Sequence, residues 1–479
     1  MIRLPFSLSP RAVRVGACVN LFAAVLAPLS AAVTIAPLFR DGAVLQRDTP
    51  IPVWGRACAG EQVTVQLGTD SARATADADG RWLVRLPARP AQSAASELIV
   101  EGENRVVVRD VLVGDVWLCG GQSNMMFAVR NARDAEQEIA AAAFPQLRLF
   151  KVAPVFLAEP ADTAEGAWRA AAPATVGEFS AVAYFFGRAL HRELGVPVGL
   201  IVSSYGNTAI ATWRSPAALA GDAAVATWWK KQQAGATPPR PHRAPGAGFN
   251  GMIAPLVPYA VRGFLWYQGE ADASETPLLT PHYAAQFTDL IREWRVLFAD
   301  GRALPFYWVQ LAGYGRAAPR DWTGLREQQS RVLAVPATGQ AIALDLGDAT
   351  DIHPRNKQEV GARLARLALH RDYGRTLVDS GPVATRAEVA AGLVTIHFDS
   401  APLTSQGDLA AAFEFAGADG QFVRADHIEI VDATVRVSAA AVPTPVSVRY
   451  GWQDLPPGFL FNSAGLPTAP FLRSLQPDR

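Results

Sequence analysis

Residues 111–125 read VLVGDVWLCGGQSNM. A hydrophobic run, Val116-Trp117-Leu118, stops after Cys119 at Gly120-Gly121, and Ser123 follows between Gln122 and Asn124. Glycines at the end of a strand let the backbone turn sharply and leave room for a ligand to approach. In an open α/β sheet, reactive groups collect beyond the carboxyl ends of the strands. Ser123 is therefore a candidate nucleophile. The turn is not the G-x-S-x-G elbow, and a serine in such a turn also serves as an ordinary turn or N-cap residue.

The surrounding pattern bears on that choice. From 111 to about 375, apolar strand segments (VLVGDVWLC, LRLFKV, VGLIVSSYG, AVRGFLWYQG, LPFYWVQLA, QAIALDLGD) alternate with amphipathic helices near 131–143, 178–194, 281–299, 322–334 and 356–371. In the helix at 281–299, Tyr283, Phe287, Leu290, Ile291, Trp294 and Phe298 recur at helical spacing. This alternation predicts an α/β domain with a mainly parallel sheet covered on both faces. Residues 33–110 instead read as short strands separated by Gly, Asp, Asn and Pro, a β-sandwich-like module. Residues 376–479 read as a second all-β module, and 235–245 (GATPPRPHRAP) as a Pro-rich surface loop.

Whole-chain properties narrow the class. The chain has 479 residues, with 44 basic and 44 acidic side chains. Zero net charge gives no general pull toward nucleic acid or acidic membranes. Residues 1–32 read as a signal peptide: Arg3, Arg11 and Arg14 precede the apolar VGACVNLFAAVLAPL, and Ser30-Ala31-Ala32 supplies a cleavage site. A periplasmic or secreted protein with no membrane span after cleavage is expected. Beyond that segment only Cys58 and Cys119 remain, either as one disulfide or as buried thiols, not a disulfide framework. Seven scattered histidines, with no HExxH and no CxxC, predict neither metal nor cofactor. The oligomeric state is not legible.

Three further strand ends carry chemistry. One runs into Tyr205-Gly206-Asn207-Thr208, another into Gln268-Gly269-Glu270, and the last is followed by Asp351-Ile352-His353-Pro354 at the start of a helix. His353 is the one histidine of this α/β region with an acidic partner at a strand end. A nucleophile, oxyanion donors, a base and an orienting carboxylate are what a serine hydrolase needs.

In this order GGQSNM, SSYGNTAIATW, NGMIAPL, GFLWYQGE and DIHPRNK resemble the sialate O-acetylesterase-like branch of the SGNH hydrolases, and LFRDGAVLQRDTPIPVWG at the β-rich start is similar too. The resemblance implies an SGNH (flavodoxin-like) three-layer domain over 111–375. It implies hydrolysis of O-acetyl esters on carbohydrates without a metal. It carries the nucleophile to Ser123, the base to His353, and the oxyanion hole to the N–H groups of Ser123 and Gly206 and the side chain of Gln268. The general SGNH pattern has aspartate three residues before histidine, where this chain has Thr350. Asp351 is the first choice for the triad acid, with Asp348 and Glu270 as rivals. Gln122, Asn124, Asn207, Trp213, Glu270 and Trp322 are candidates to contact substrate. Trp266, within a strand, is assigned to the core, and Arg355 and Lys357 to solvent, while Arg214 remains a possible carboxylate binder.

The expectation is a carbohydrate O-acetylesterase acting on O-acetylated poly- or oligosaccharides. Plant cell-wall xyloglucan or xylan is preferred over sialosides, because the strand-end motifs offer few cations for a carboxylate. The alternatives are a sialate O-acetylesterase, an esterase for lipids or simple esters, and a non-catalytic carbohydrate-binding protein.

Overall fold

The computed structural model describes residues 32–235, 239–275, 278–299, 301–315 and 320–475. The signal-peptide reading thus lies, apart from Ala32, outside the described residues. Among the described residues no helix is long and apolar enough to cross a membrane.

Seven strands build the central sheet: β1 (Arg105–Gly121), β2 (Phe144–Lys151), β3 (Trp168–Ala171), β4 (Val198–Ser204), β5 (Gly263–Tyr267), β6 (Phe306–Val309) and β7 (Thr338–Ala341). Their spatial order is β3-β2-β4-β1-β5-β6-β7, parallel throughout except for the antiparallel edge strand β3. All residues of β4, β5 and β6 are buried, as a sheet covered on both faces requires.

Alternate side chains of one strand separate the two faces. Val116 and Leu118 join the core beneath α4 (Tyr283–Ala299) and α5 (Trp322–Arg331), with α3 (Glu270–Glu275) beside them. Trp117 and Cys119 join the core beneath α2 (Ala181–Leu194) and α6 (Lys357–Arg371). The stripe of six apolar residues expected along α4 is buried in full. Helix α2 is capped by the Ser180 side chain at its N-terminus and stops at Gly195, whose φ is +66°.

The chain lays β2, β3 and β4 on one side of β1 and then crosses to lay β5, β6 and β7 on the other. The carboxyl end of β1 is therefore a topological switch point, where such sheets open a crevice. At that end Ser204 of β4 and Tyr267 of β5 both stand opposite Gly121.

The N-terminal region is not strung on a linker. Strand β1 has 17 residues. Its first half pairs with Gln92–Glu101 and with Val44–Gln46, and its second half enters the central sheet. The boundary expected after residue 110 falls inside this strand. A further tie is the bidentate pair of Arg47 with buried Asp115, at 2.9 and 3.0 Å. The C-terminal region is antiparallel, in two four-stranded sheets and one pair, with its own apolar core. Buried Arg326 clamps it to the central domain. Its guanidinium donates to the carbonyls of Gln453 and Asp454 at 2.8 Å and to those of Leu311 and Ala312 at 2.9 Å. Cys58, half-buried, and Cys119, buried, are not joined in a disulfide, so the disulfide alternative does not hold.

Gly121 shows how tightly the turn after β1 is built. It has φ +136°, and a Cβ there would stand 2.2 Å from the Tyr267 carbonyl oxygen. Gly121→Ala is expected to cost at least ~1–3 kcal/mol from backbone strain, before the steric clash is counted. Thermal unfolding should show a Tm lower by several degrees.

Candidate active site

Ser123 opens a short helix, α1 (Ser123–Met126), two residues beyond the end of β1, and is half-buried. Two backbone bonds hold the turn. Gln122 N–H donates to Tyr267 at 2.9 Å and Tyr205 N–H donates to Gly121 at 3.1 Å. The loops after β4 and β5 are thereby fastened on either side of the serine.

Gly206 passes directly beside it. A Cβ on Gly206 would lie 3.4 Å from the Ser123 Cβ. Among the described residues neither the Ser123 nor the Gly206 N–H has a hydrogen-bond partner. Two free amide donors beside a serine can stabilise an oxyanion. The next residue, Asn207, is exposed and left-handed at φ +58°. Asparagine tolerates that conformation better than other side-chain-bearing residues.

The loop before α6 brings the base. Ile352 carbonyl accepts from the Asn124 side-chain amide at 3.0 Å, so the residue after Ser123 is bonded to the residue before His353. The His353 ring stacks on Phe127, with centroids 6.1 Å apart. Burial, and then the nearby Lys357 ammonium, push its pKa below the ordinary histidine value.

Of the three candidate acids, Asp351 faces the imidazole. Its Oδ1 lies 3.4 Å from His353 Nδ1 and accepts the His353 backbone N–H at 2.8 Å. The side-chain contact is longer than a good hydrogen bond, as such contacts often are before substrate binds. Asp348 sits one step back. Its Oδ1 accepts from Thr350 N–H, Thr350 Oγ1 and Asp351 N–H at 2.7–3.0 Å, which shapes the turn and holds its own pKa below the ordinary value. Glu270 points into the protein and accepts from Asn124.

Several expected roles do not survive the geometry. Gln268 is fully buried, and its two amide N–H bonds go to the Thr208 carbonyl (2.9 Å) and to Asp272. Its Oε1 accepts from Tyr283 at 2.8 Å, so no donor is left for an oxyanion. Trp213 is likewise fully buried, packed on Trp266 and donating to Thr208, and Trp322 is buried with its indole N–H on Ala312. Neither is available to stack on a sugar. Gln122 caps the start of α3 by accepting from Ala271 N–H at 3.2 Å, and Asn124 and Glu270 are buried partners of one another. Arg214 is buried against Asp222 (2.8 Å) and Asp289 (3.3 Å). Lys357, expected in solvent, is fully buried, whereas Arg355 holds the Asn131 carbonyl.

Two features had no clear sequence signal. Phe127 supports both His353 and Lys357. Phe156, flanked by exposed Val155 and Leu157, packs edge-on against half-buried Tyr205 at 4.9 Å, next to Gly206. A run of apolar residues in a loop was the available hint for the second.

A half-buried serine beside two free amides, tied through Asn124 to the loop of a histidine faced by an aspartate, at the switch point of a parallel sheet, defines a serine-dependent ester hydrolase of the three-layer α/β type. Residues 113–370 match the family model "Carbohydrate esterase, sialic acid-specific acetylesterase". A carbohydrate acetylesterase from Xanthomonas citri superposes with a TM-score of 0.82 at 42% identity, covering 93% of this chain and 100% of that one. Human sialate O-acetylesterase is 31% identical over 389 residues, 72% of each chain, and the mouse protein is 28% identical over 90% of this chain and 92% of its own. The chain belongs to the sialic acid-specific acetylesterase family of SGNH carbohydrate esterases, and is a carbohydrate acetylesterase.

Gln268→Ala should act as a stability mutation. It removes one buried hydrogen bond each from the Thr208 carbonyl, Asp272 and Tyr283, and leaves the Thr208 carbonyl without its partner, at roughly 1–3 kcal/mol for that group. A Tm loss larger than that of Ser123→Ala is expected in thermal denaturation. An unchanged Tm with a large fall in kcat would return Gln268 to the oxyanion hole.

Proposed function

We propose that this protein is a periplasmic or secreted esterase that removes acetyl groups from O-acetylated poly- or oligosaccharides of the plant cell-wall type, xyloglucan or xylan. Ser123 Oγ attacks the acetyl carbonyl carbon while His353 takes its proton. The carbonyl oxygen becomes an oxyanion held by the N–H groups of Ser123 and Gly206. When the tetrahedral intermediate collapses, the sugar oxygen leaves with the proton from His353, and the acetyl group stays on Ser123. Water, deprotonated by the same imidazole, then releases acetate and restores the serine. Asp351 orients the ring and stabilises the imidazolium. With Gln268 and Asn124 both committed elsewhere, the hole assigned here uses main-chain donors alone.

The bond between Asn124 and Ile352 carries this reading, because it ties the neighbour of the nucleophile to the neighbour of the base. The surface beside Gly206 supports a neutral sugar. Tyr205 and Phe156 offer aromatic area, and Val155 and Leu157 extend it. Arg214 and Lys357 are both buried and engaged, so neither is free to meet a substrate carboxylate. The secretory assignment rests on the N-terminal sequence alone.

A sialate substrate is the second reading. It is favoured by the names of the mammalian relatives and by Arg320. That guanidinium lies over the Tyr314 ring at 4.9 Å, and its buried Nε and Nη1 have no hydrogen-bond partner among the described residues.

Ser123→Ala should abolish turnover of p-nitrophenyl acetate with Tm retained, and Asp351→Asn should lower kcat far more than Asp348→Asn. A Ser123→Ala protein with half the wild-type rate would sink the mechanism. Acetate release should be efficient from acetylated xyloglucan or xylan and poor from 9-O-acetylated sialic acid. The opposite pattern would establish the second reading.

A further inference from the structure

The first turn of α6 buries a cation completely. Lys357 Nζ donates to Asn124 Oδ1, and lies 5.0 Å from the Phe127 ring centroid and 5.2 Å from that of Tyr267. Taking an ammonium out of water is costly unless its surroundings compensate. The nearest buried carboxylate, Glu270, is reached through Asn124, whose Nδ2 donates to Glu270 Oε1 and to the Ile352 carbonyl. Glu270 Oε2 and the Tyr267 hydroxyl are buried with no hydrogen-bond partner among the described residues.

An ammonium donates and cannot accept, so it must face the oxygen of the Asn124 amide. The two N–H bonds of that amide are then obliged to face Glu270 and Ile352. Lys357 thus dictates which way Asn124 points, and Asn124 is the strap between the Ser123 turn and the His353 loop. We propose that Lys357 is a positioning residue of the esterase, acting through Asn124 to set Ser123 against His353, and presenting its charge to the imidazole across the Phe127 ring that both side chains share.

The groups facing these two side chains are few. Around His353 they are Asp351, which favours the imidazolium, and Lys357, which opposes it, with Phe127 stacked on the ring. Around Lys357 they are Glu270 and Asp351, which favour the ammonium, together with Tyr267, while burial pushes the ammonium down to about 7. Burial likewise pushes Glu270 up. Removing Lys357 takes away the charge that favours the Glu270 carboxylate and opposes the imidazolium, so His353 is expected to hold its proton more readily. The inference rests on His353 being the base.

The test is Lys357→Met, which keeps length and apolar volume and removes charge and donor. In the full mature chain, kcat for p-nitrophenyl acetate should fall about 10- to 100-fold, as expected for a lost charge-assisted hydrogen bond, with KM nearly unchanged. The acid limb of kcat/KM should move to higher pH. The His353 imidazole resonance, titrated in Ser123→Ala and in Ser123→Ala/Lys357→Met, should move in the same direction. A purely structural lysine would lower activity and leave both midpoints in place, and that result overturns the inference. If Lys357→Met does not fold, Lys357→Met/Glu270→Gln removes both charges and is read by the same two midpoints. Should the wild-type acid limb fail to coincide with the His353 titration, the assignment of the base falls. Coincident midpoints that Lys357→Met does not shift overturn the positioning role alone.

Discussion

The whole site hangs on the register of three parallel strands. Because Ser204 and Tyr267 both stand opposite Gly121, the chain leaves β4, β1 and β5 at the same height. The three following segments then crowd into one crevice: Gly206 two residues beyond Ser204, Ser123 two beyond Gly121, and the Gln268–Glu270 turn directly after Tyr267. A slip by one residue in either pairing would invert the faces of a strand and carry its loop out of reach. The glycine at the centre of this register is the point where no side chain fits, so backbone stereochemistry and catalytic geometry are one constraint there.

Much of this was legible in the chain itself. Strands buried on both faces and helices with one apolar stripe are strong periodic signals, and α4 shows the stripe in full. The residues that meet at the crevice share the property of lying just past a strand, which is a positional fact that a sequence displays. What a sequence does not display is which way a side chain turns after the strand ends. Gln268 and Trp213 lie close to Ser123 along the fold, yet point down into the core beneath α4. The amides of Gln122 and Asn124 looked like ligands because they flank the serine. A helical turn sends neighbouring side chains to different sides, and these two were turned inward to fasten the adjacent loops. Lys357 misled for a related reason, since a charged residue at the start of a helix is usually solvated, and here Phe127, Tyr267 and Asn124 close over it.

Electrostatics inside the crevice follow from that inward turn. Asp272 has its carboxyl pushed up to about 7 by burial, and Glu270 is pushed up as well. These acids lie behind the serine, linked by amides and hydroxyls of Gln268, Asn124 and Tyr283. Dipoles fixed by such hydrogen bonds can be oriented once, during folding, and then cost little reorganisation when charge appears on a reacting oxygen. The polar groups that never touch substrate thereby contribute to the rigidity on which a main-chain oxyanion hole depends.

The change of pattern at residue 110 looked like a border, because burial switches there from one-sided to two-sided. In space it is the midpoint of a continuous ribbon, with the same backbone pairing first to the N-terminal strands and then to β4 and β5. A recombination event that cut the gene at that visible seam would sever the central strand itself. The N-terminal region of this lineage is therefore expected to have been inherited and diversified together with the hydrolase, as one evolutionary unit, while loops and the separately cored C-terminal region were free to drift at a different pace.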